Sequence, residues 1–192
     1  KKIELPSSVE TVGQSAFDGC SNIEEMTLPK IYNNNAYGGA YFNYLFGGYN
    51  TDAWSFVPQS LKKVTVSASE IPTYAFYGCR YIEEINVENA TSIGDCAFQG
   101  CSSLQNIALS PMLTSIGNGA FGSCTSLANI NLPNGLTNIG ESAFAYCSSL
   151  TQIDLPSTLT SIGESAFRRS YLTSITIPSS VESVGFGAFA EC

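Results

Sequence analysis

The sequence predicts a solenoid, a stack of coils of 22–23 residues carrying short parallel β-strands. Three recurrences predict it. The dipeptide Ala-Phe occurs seven times, with phenylalanines at Phe17, Phe76, Phe98, Phe121, Phe144, Phe167 and Phe189, in steps of 59, 22, 23, 23, 23 and 22 residues. Apolar pairs spaced two apart recur at one phase, and glycines and prolines recur at others. A fixed period of this size marks an array in which each repeat is one coil stacked on the last.

The strand comes from the pairs Met26/Leu28, Val64/Val66, Ile85/Val87, Ile107/Leu109, Ile130/Leu132, Ile153/Leu155 and Ile175/Ile177. Residues two apart point to the same side of a strand. One coil cannot bury them alone, but coils stacked at about 4.8 Å make a continuous parallel ladder with an apolar interior. Pro6, Pro29, Pro133, Pro156 and Pro178 follow the strand; proline has no N–H for the ladder and marks the strand's end. A second apolar pair follows at Val9/Val12, Leu113/Ile116, Leu136/Ile139, Leu159/Ile162 and Val181/Val184. Next comes a glycine, at Gly13, Gly94, Gly117, Gly140, Gly163 and Gly185, where a tight backbone bend is expected. The phenylalanine then fills the wide part of each coil, with the small alanine beside it.

Six of the seven cysteines lie three residues after the repeated phenylalanine: Cys20, Cys79, Cys101, Cys124, Cys147 and Cys192; Ser170 holds this place in the remaining copy, and Cys96 lies two before Phe98. The spacing is the repeat's own, there is no Cys-x-x-Cys and no histidine, so buried free thiols are expected rather than a metal site or a disulfide framework.

One coil is irregular. The strand pairs step from Leu28 to Val66, 38 residues where 22 or 23 is normal, so about 15 are extra, within an insertion spanning about residues 29–60. That stretch carries nine of the chain's 22 aromatic residues and its only tryptophan. Phe42 or Tyr41 is expected to replace the missing Ala-Phe, and Phe46 and Phe56 to cover the irregular coil. Tyr44, Tyr49 and Trp54 are candidates for outward contact, because Tyr and Trp combine apolar area with a polar handle.

Between the buried residues run two outward columns. One is Thr27, Thr65, Asn86, Ala108, Asn131, Asp154 and Thr176; the other is Glu25, Lys63, Glu84, Asn106, Asn129, Gln152 and Ser174. The first half alternates in sign (Glu24-Glu25, Lys62-Lys63, Glu83-Glu84), so opposite charges should meet across the ladder. The second half is small, polar and nearly uncharged, and Asn106, Asn129, Asn131, Gln152 and Asp154 are candidate recognition residues there.

The formal charge of −8, with eight Lys and Arg, argues against nucleic-acid or anionic-membrane partners. No apolar run approaches the roughly 18–20 residues of a spanning helix, so direct membrane insertion of this segment is not expected. The absence of histidine removes Ser-His-Asp, Cys-His and His-metal chemistry, and no Gly-rich phosphate loop is present. No catalytic residue, cofactor or metal is expected. Residues 1–192 read as a single repeat domain. The chain starts without Met and begins and ends inside a repeat with neither end resembling a polar cap, so a fragment of a longer protein is expected.

The unit L-P-x-x-L-T-x-I-G-x-x-A-F-x-x-C-x-x-L-x-x-I-x-L resembles the BspA-like leucine-rich repeat over residues 1–28 and 61–192. Tyr44-Leu45-Phe46-Gly47 and Val57-Pro58-Gln59-Ser60-Leu61-Lys62 also resemble a variant coil of that family. The resemblance implies a leucine-rich-repeat solenoid: a right-handed superhelix with irregular or 3-10 connections and little α-helix. It further implies a cell-surface or secreted protein of host-associated microbes that adheres to host or matrix proteins. Three functions follow for testing: a protein-binding adhesion module, a structural spacer in a multidomain surface protein, and a glycan-binding module using the aromatic segment.

Overall fold

The computed structural model describes residues 1–32, 41–48 and 56–192. They form a parallel β-solenoid of about seven coils with almost no helix. The strands are β1 (Lys2–Glu4), β2 (Glu25–Leu28), β3 (Lys63–Val66), β4 (Glu70–Ile71), β5 (Glu84–Val87), β6 (Ser92–Ile93), β7 (Asn106–Leu109), β8 (Ser115–Ile116), β9 (Asn138–Ile139), β10 (Ser161–Ile162) and β11 (Ser183–Val184). They make two parallel ladders, β1-β2-β3-β5-β7 and β4-β6-β8-β9-β10-β11. The first is the predicted one, in the predicted register: Met26 lies beside Val64, Val64 beside Ile85, and Ile85 beside Ile107. Its outer charges pair laterally, with Lys62 Nζ 2.9 Å from Glu83 and Lys63 Nζ 2.5 Å from Glu84. The hydrogen bond that Lys63 donates to Glu84 raises the Lys63 pKa. The second ladder runs along the second apolar column, Ile71-Ile93-Ile116-Ile139-Ile162-Val184.

The first ladder corrects the expectation in its second half. It stops at β7, and the segments of Ile130/Leu132, Ile153/Leu155 and Ile175/Ile177 are not strands. In each of these coils Pro133, Pro156 or Pro178 directly follows the apolar pair, as Pro6 does in the first coil. At the equivalent position Ser67 N–H closes the ladder on the Leu28 carbonyl, 3.0 Å away. Proline has no such donor. Pro29 is also in that position, but it lies beside β1, one residue shorter than its neighbours.

The phenylalanines form the core's axis. Phe76, Phe98, Phe121, Phe144, Phe167 and Phe189 stack with centroids 5.1–5.5 Å apart and ring planes within 13°. The N–H of each of the first five donates to the alanine carbonyl of the next coil, as from Phe121 to Ala143 at 2.8 Å. The irregular coil joins this stack through the 3-10 helix Phe42–Phe46. Phe42 packs on Phe76 at 5.0 Å, Phe46 packs on Phe42 at 5.5 Å, and Phe46 reaches Phe17 at 6.1 Å. Phe42 therefore replaces the missing Ala-Phe, as expected, and Phe46 takes up the added distance. Elsewhere the connections among the described residues are turns rather than 3-10 helix.

The repeated glycine is not at the bend. None of Gly94, Gly117, Gly140, Gly163 and Gly185 has positive φ; instead a Cβ there would run into the backbone of the preceding coil, as at Gly140, 2.6 Å from Gly117 C and 2.7 Å from Asn118 N. The left-handed residues flank the phenylalanine two positions either side. On the near side are Ser15, Tyr74, Cys96, Gly119, Ser142, Ser165 and Gly187. On the far side are Gly19, Gly78, Gly100, Ser123, Tyr146, Arg169 and Glu191. Cys96, the odd cysteine, therefore occupies a bend.

All seven cysteines are free. Cys79, Cys101, Cys124 and Cys147 are buried, and the Sγ of Cys101, Cys124 and Cys147 donates to the carbonyls of Phe76, Phe98 and Phe121 at 3.1–3.2 Å. Ser170 donates instead to the carbonyl of its own coil's Phe167, at 2.7 Å. Burial pushes the thiols of Cys101 and Cys147 up to about 12, and those of Cys79 and Cys124 well above the ordinary value. The thiolate is the reactive form. A thiol reagent at pH 8 should therefore label exposed Cys20 and Cys192 at once, half-buried Cys96 more slowly, and the other four only on unfolding, as counted by mass spectrometry. A folded pKa above the unfolded one also means stability is full below about pH 9 and falls as pH rises towards 12.

Candidate functional site

The side of the solenoid where the first ladder stops carries exposed chemistry built from repeated residues. Where the ladder is closed, the inward pairs Val64/Val66 and Ile85/Val87 are fully buried. Beyond it, Leu132, Leu155 and Ile175 pack on the core but are only half-buried. Residues 128–132, 152–155 and 174–177 make no backbone hydrogen bond. Of their interior side chains, Ile130 and Ile153 stay buried, Leu132, Leu155 and Ile175 are half-buried, and Ile177 is exposed.

The opening forms a cleft between the last two of these segments. A cleft of about 500 Å³ lies between a wall formed by residues 152–155 and a wall formed by residues 174–176, with Ser157 and Pro178 at its end. It is closed at both extremities. Thr173 N–H donates to the Thr151 carbonyl at 3.1 Å, and Ser180 Oγ donates to the Leu159 carbonyl at 2.7 Å. Its floor is Ile153, Leu155 and Ile175, and its lips are Gln152, Asp154, Ser174 and Thr176. Apolar depth with a polar rim is the usual composition of a recognition pocket.

The candidates separate accordingly. Asn106, Asn129, Asn131, Gln152 and Asp154 are all exposed on this side, and Gln152 and Asp154 line the cleft. Tyr44 lies in the 3-10 helix and is half-buried. Tyr49 and Trp54 lie outside the described residues. Sequence reading missed Ser174, Thr176 and the half-exposed floor; the recurrent proline was the available signal. It also missed a group of half-buried tyrosines, in which Tyr41 stacks on Tyr74 at 5.9 Å and Tyr74 meets Tyr77 edge-on at 5.7 Å.

Among the described residues no cluster of three or more His, Cys, Asp or Glu could hold a metal ion, and no helix is long and apolar enough to cross a membrane.

The BspA-type leucine-rich repeat region matches in six copies over residues 1–46 and 69–192. The chain belongs to this family. Its fold is shared by a leucine-rich repeat protein from Bacteroides ovatus, 29% identical with a TM-score of 0.70, over 100% of this chain and 46% of that one. A leucine-rich cell-surface protein from Faecalibacterium prausnitzii is 29% identical with a TM-score of 0.69, over 89% and 46%. The leucine-rich repeat protein of T. pallidum is 26% identical with a TM-score of 0.65, over 100% and 76%. This BspA-type chain thus spans less than half the length of the first of these relatives. No curated protein matches it. The BspA-type repeat is consistent with a protein-binding module, and none of these relatives is named as an enzyme.

Proposed function

We propose that this chain is a non-catalytic protein-binding module, used for adhesion by a surface or secreted protein, and that it meets its partner on the open side of the first ladder. The observation that carries this reading is the half-exposure of the interior residues Leu132, Leu155 and Ile175, set between polar columns with backbone that makes no hydrogen bond beside them. A closed ladder offers a partner only side-chain tips; this one also offers apolar depth and peptide groups. The surface setting is supported by the cell-surface relative from F. prausnitzii.

The test is binding of the chain to a panel of host matrix proteins, plasma proteins and glycans, beside a Gln152→Lys/Thr176→Lys variant. Both side chains are exposed, so the thermal unfolding midpoint should stay within about 2 °C of the parent. A saturable protein ligand whose affinity falls at least about tenfold in the variant is expected, corresponding to the loss of one central contact. A protein ligand bound equally by both chains would move the site off this face. Saturable binding to glycans alone would replace the reading with sugar recognition.

A further inference from the structure

We infer that Asn134 is a self-modification site: the Gly135 nitrogen attacks its side-chain amide, leaving aspartate or isoaspartate in the turn after Pro133. Water is the only co-reactant. The inference stands apart from the binding reading.

The chemistry is simple to balance. Gly135 N forms a bond to Asn134 Cγ and gives up its proton. The Cγ–Nδ2 bond breaks and ammonia leaves, closing a five-membered succinimide. Water then adds to one of the two ring carbonyls. Addition at Cγ releases the Gly135 nitrogen from it and leaves aspartate on the original backbone. Addition at the main-chain carbonyl leaves isoaspartate, with the chain rerouted through Cβ and Cγ. Nothing is oxidised or reduced. Glycine is the least hindered neighbour for this attack, because it has no Cβ beside its nitrogen. The remaining requirement is that the amide and the nitrogen both be free to approach each other.

The chain has two Asn-Gly pairs, Asn118-Gly119 and Asn134-Gly135. The fold treats them oppositely. Asn118 Oδ1 accepts the Glu141 N–H at 2.8 Å, and Gly119 N–H donates to the Glu141 carbonyl at 2.7 Å. Asn118 N–H donates to Asp95 Oδ1 at 2.7 Å. Amide and nucleophile are therefore both held, between the coils on either side, and Gly119 is buried. Asn134 and Gly135 are instead exposed, at the centre of a turn closed by Leu136 N–H on the Pro133 carbonyl at 3.1 Å. That bond uses neither reacting group. Among the described residues, neither the Asn134 side-chain amide nor the Gly135 N–H makes a hydrogen bond.

The repeat explains the difference. Thr158 and Ser180 hold the phase of Gly135 in the next two coils. Their hydroxyls clip each turn to the coil before it. Thr158 Oγ1 lies 2.7 Å from the Asn134 carbonyl and 2.8 Å from that of Leu136, and Ser180 Oγ donates to the Leu159 carbonyl at 2.7 Å. Gly135 has no hydroxyl, although the carbonyls of Leu113 and Pro111 stand 3.7 and 3.8 Å from its Cβ position. Its turn therefore lacks the backward clip and keeps the freedom the attack needs. Isoaspartate would reroute the backbone between the two carbonyls that Thr158 bridges, and either product adds a carboxylate there.

The test is slow incubation of the folded 192-residue chain in mildly alkaline buffer. Peptide mass spectrometry reads conversion of amide to carboxyl at each asparagine. Methyl transfer by an isoaspartyl methyltransferase reads the rerouted product. Asn134 should convert first, and Asn118 at least about tenfold more slowly, the factor expected when two hydrogen bonds must first be broken. In urea the two should convert at like rates, since both are followed by glycine. Gly135→Ala adds a methyl that meets only ordinary contacts, so the chain should fold as before and lose the methyl labelling in this turn.

Conversion of Asn118 as fast as Asn134 in the folded chain would overturn the inference. So would a folded chain that leaves Asn134 intact over a time in which urea converts it. A preference for Asn134 that persists in urea would trace to local sequence and would overturn it as well.

Discussion

Phe121→Ala should destabilise the solenoid by about 3–5 kcal/mol, the usual loss for removing a buried aromatic ring from a packed core. Phe121 is fully buried and stacks on Phe98 at 5.1 Å and on Phe144 at 5.2 Å. The coils cannot close the void, because their spacing is held by β6-β8-β9 beside it and by the Phe98-to-Ala120 and Phe121-to-Ala143 hydrogen bonds, each 2.8 Å. The lost ring leaves two phenylalanine faces without a neighbour, so the loss includes stacking as well as burial. Urea unfolding followed by circular dichroism measures it. The matched variant Phe189→Ala, in the last coil with one stacking neighbour and partial exposure, should lose clearly less. Equal losses would mean that the stack does not hold the coils together.

Gly140→Ala should cost about 2–3 kcal/mol, although it adds a single methyl group. The added Cβ would stand 2.6 Å from Gly117 C and 2.7 Å from Asn118 N. These are backbone atoms that cannot rotate away, and forcing extra carbon into close packing costs this much or more. The Gly140 N–H bond to the Ile116 carbonyl, at 2.9 Å, fixes the two coils at the distance that creates the clash. Gly13 is the internal control. It holds the same phase, but its added Cβ meets nothing within 4 Å, so Gly13→Ala should change stability by less than about 1 kcal/mol. Thermal unfolding of the two variants in parallel decides between close approach and bending: a bend requirement would make both alanines harmful.

The glycine also shows where sequence reading went astray. A residue recurring every 22 or 23 positions was visible, and a bend was the ready explanation. The bends lie two residues either side of the phenylalanine, mostly on serine, cysteine, tyrosine and charged residues on which no glycine pattern points. Glycine marks instead the place where successive backbones come closest, which depends on how coils stack and not on the conformation of one coil. The candidate site divides the same way. The exposed phase of Asn129, Asn131, Gln152 and Asp154 was legible from alternation. The cleft that makes two of them wall residues was not, because a gap is a relation between two coils.

By itself the sequence determined the coil length, the inward and outward columns, the phenylalanine axis and the burial of Cys79, Cys101, Cys124 and Cys147, though not the exposure of Cys20 and Cys192 in the terminal coils. All of these follow from what one repeat must hide when another repeat covers it, and that demand is written into every copy. The tertiary structure alone decided that there are two ladders, that the first opens after β7, and that Phe42 and Phe46 share the work of one ring across the irregular coil. These depend on the distances between neighbouring backbones. Hydrogen bonds across coils form or fail according to small displacements set by prolines, glycines and ring packing together, and no single repeat carries that sum.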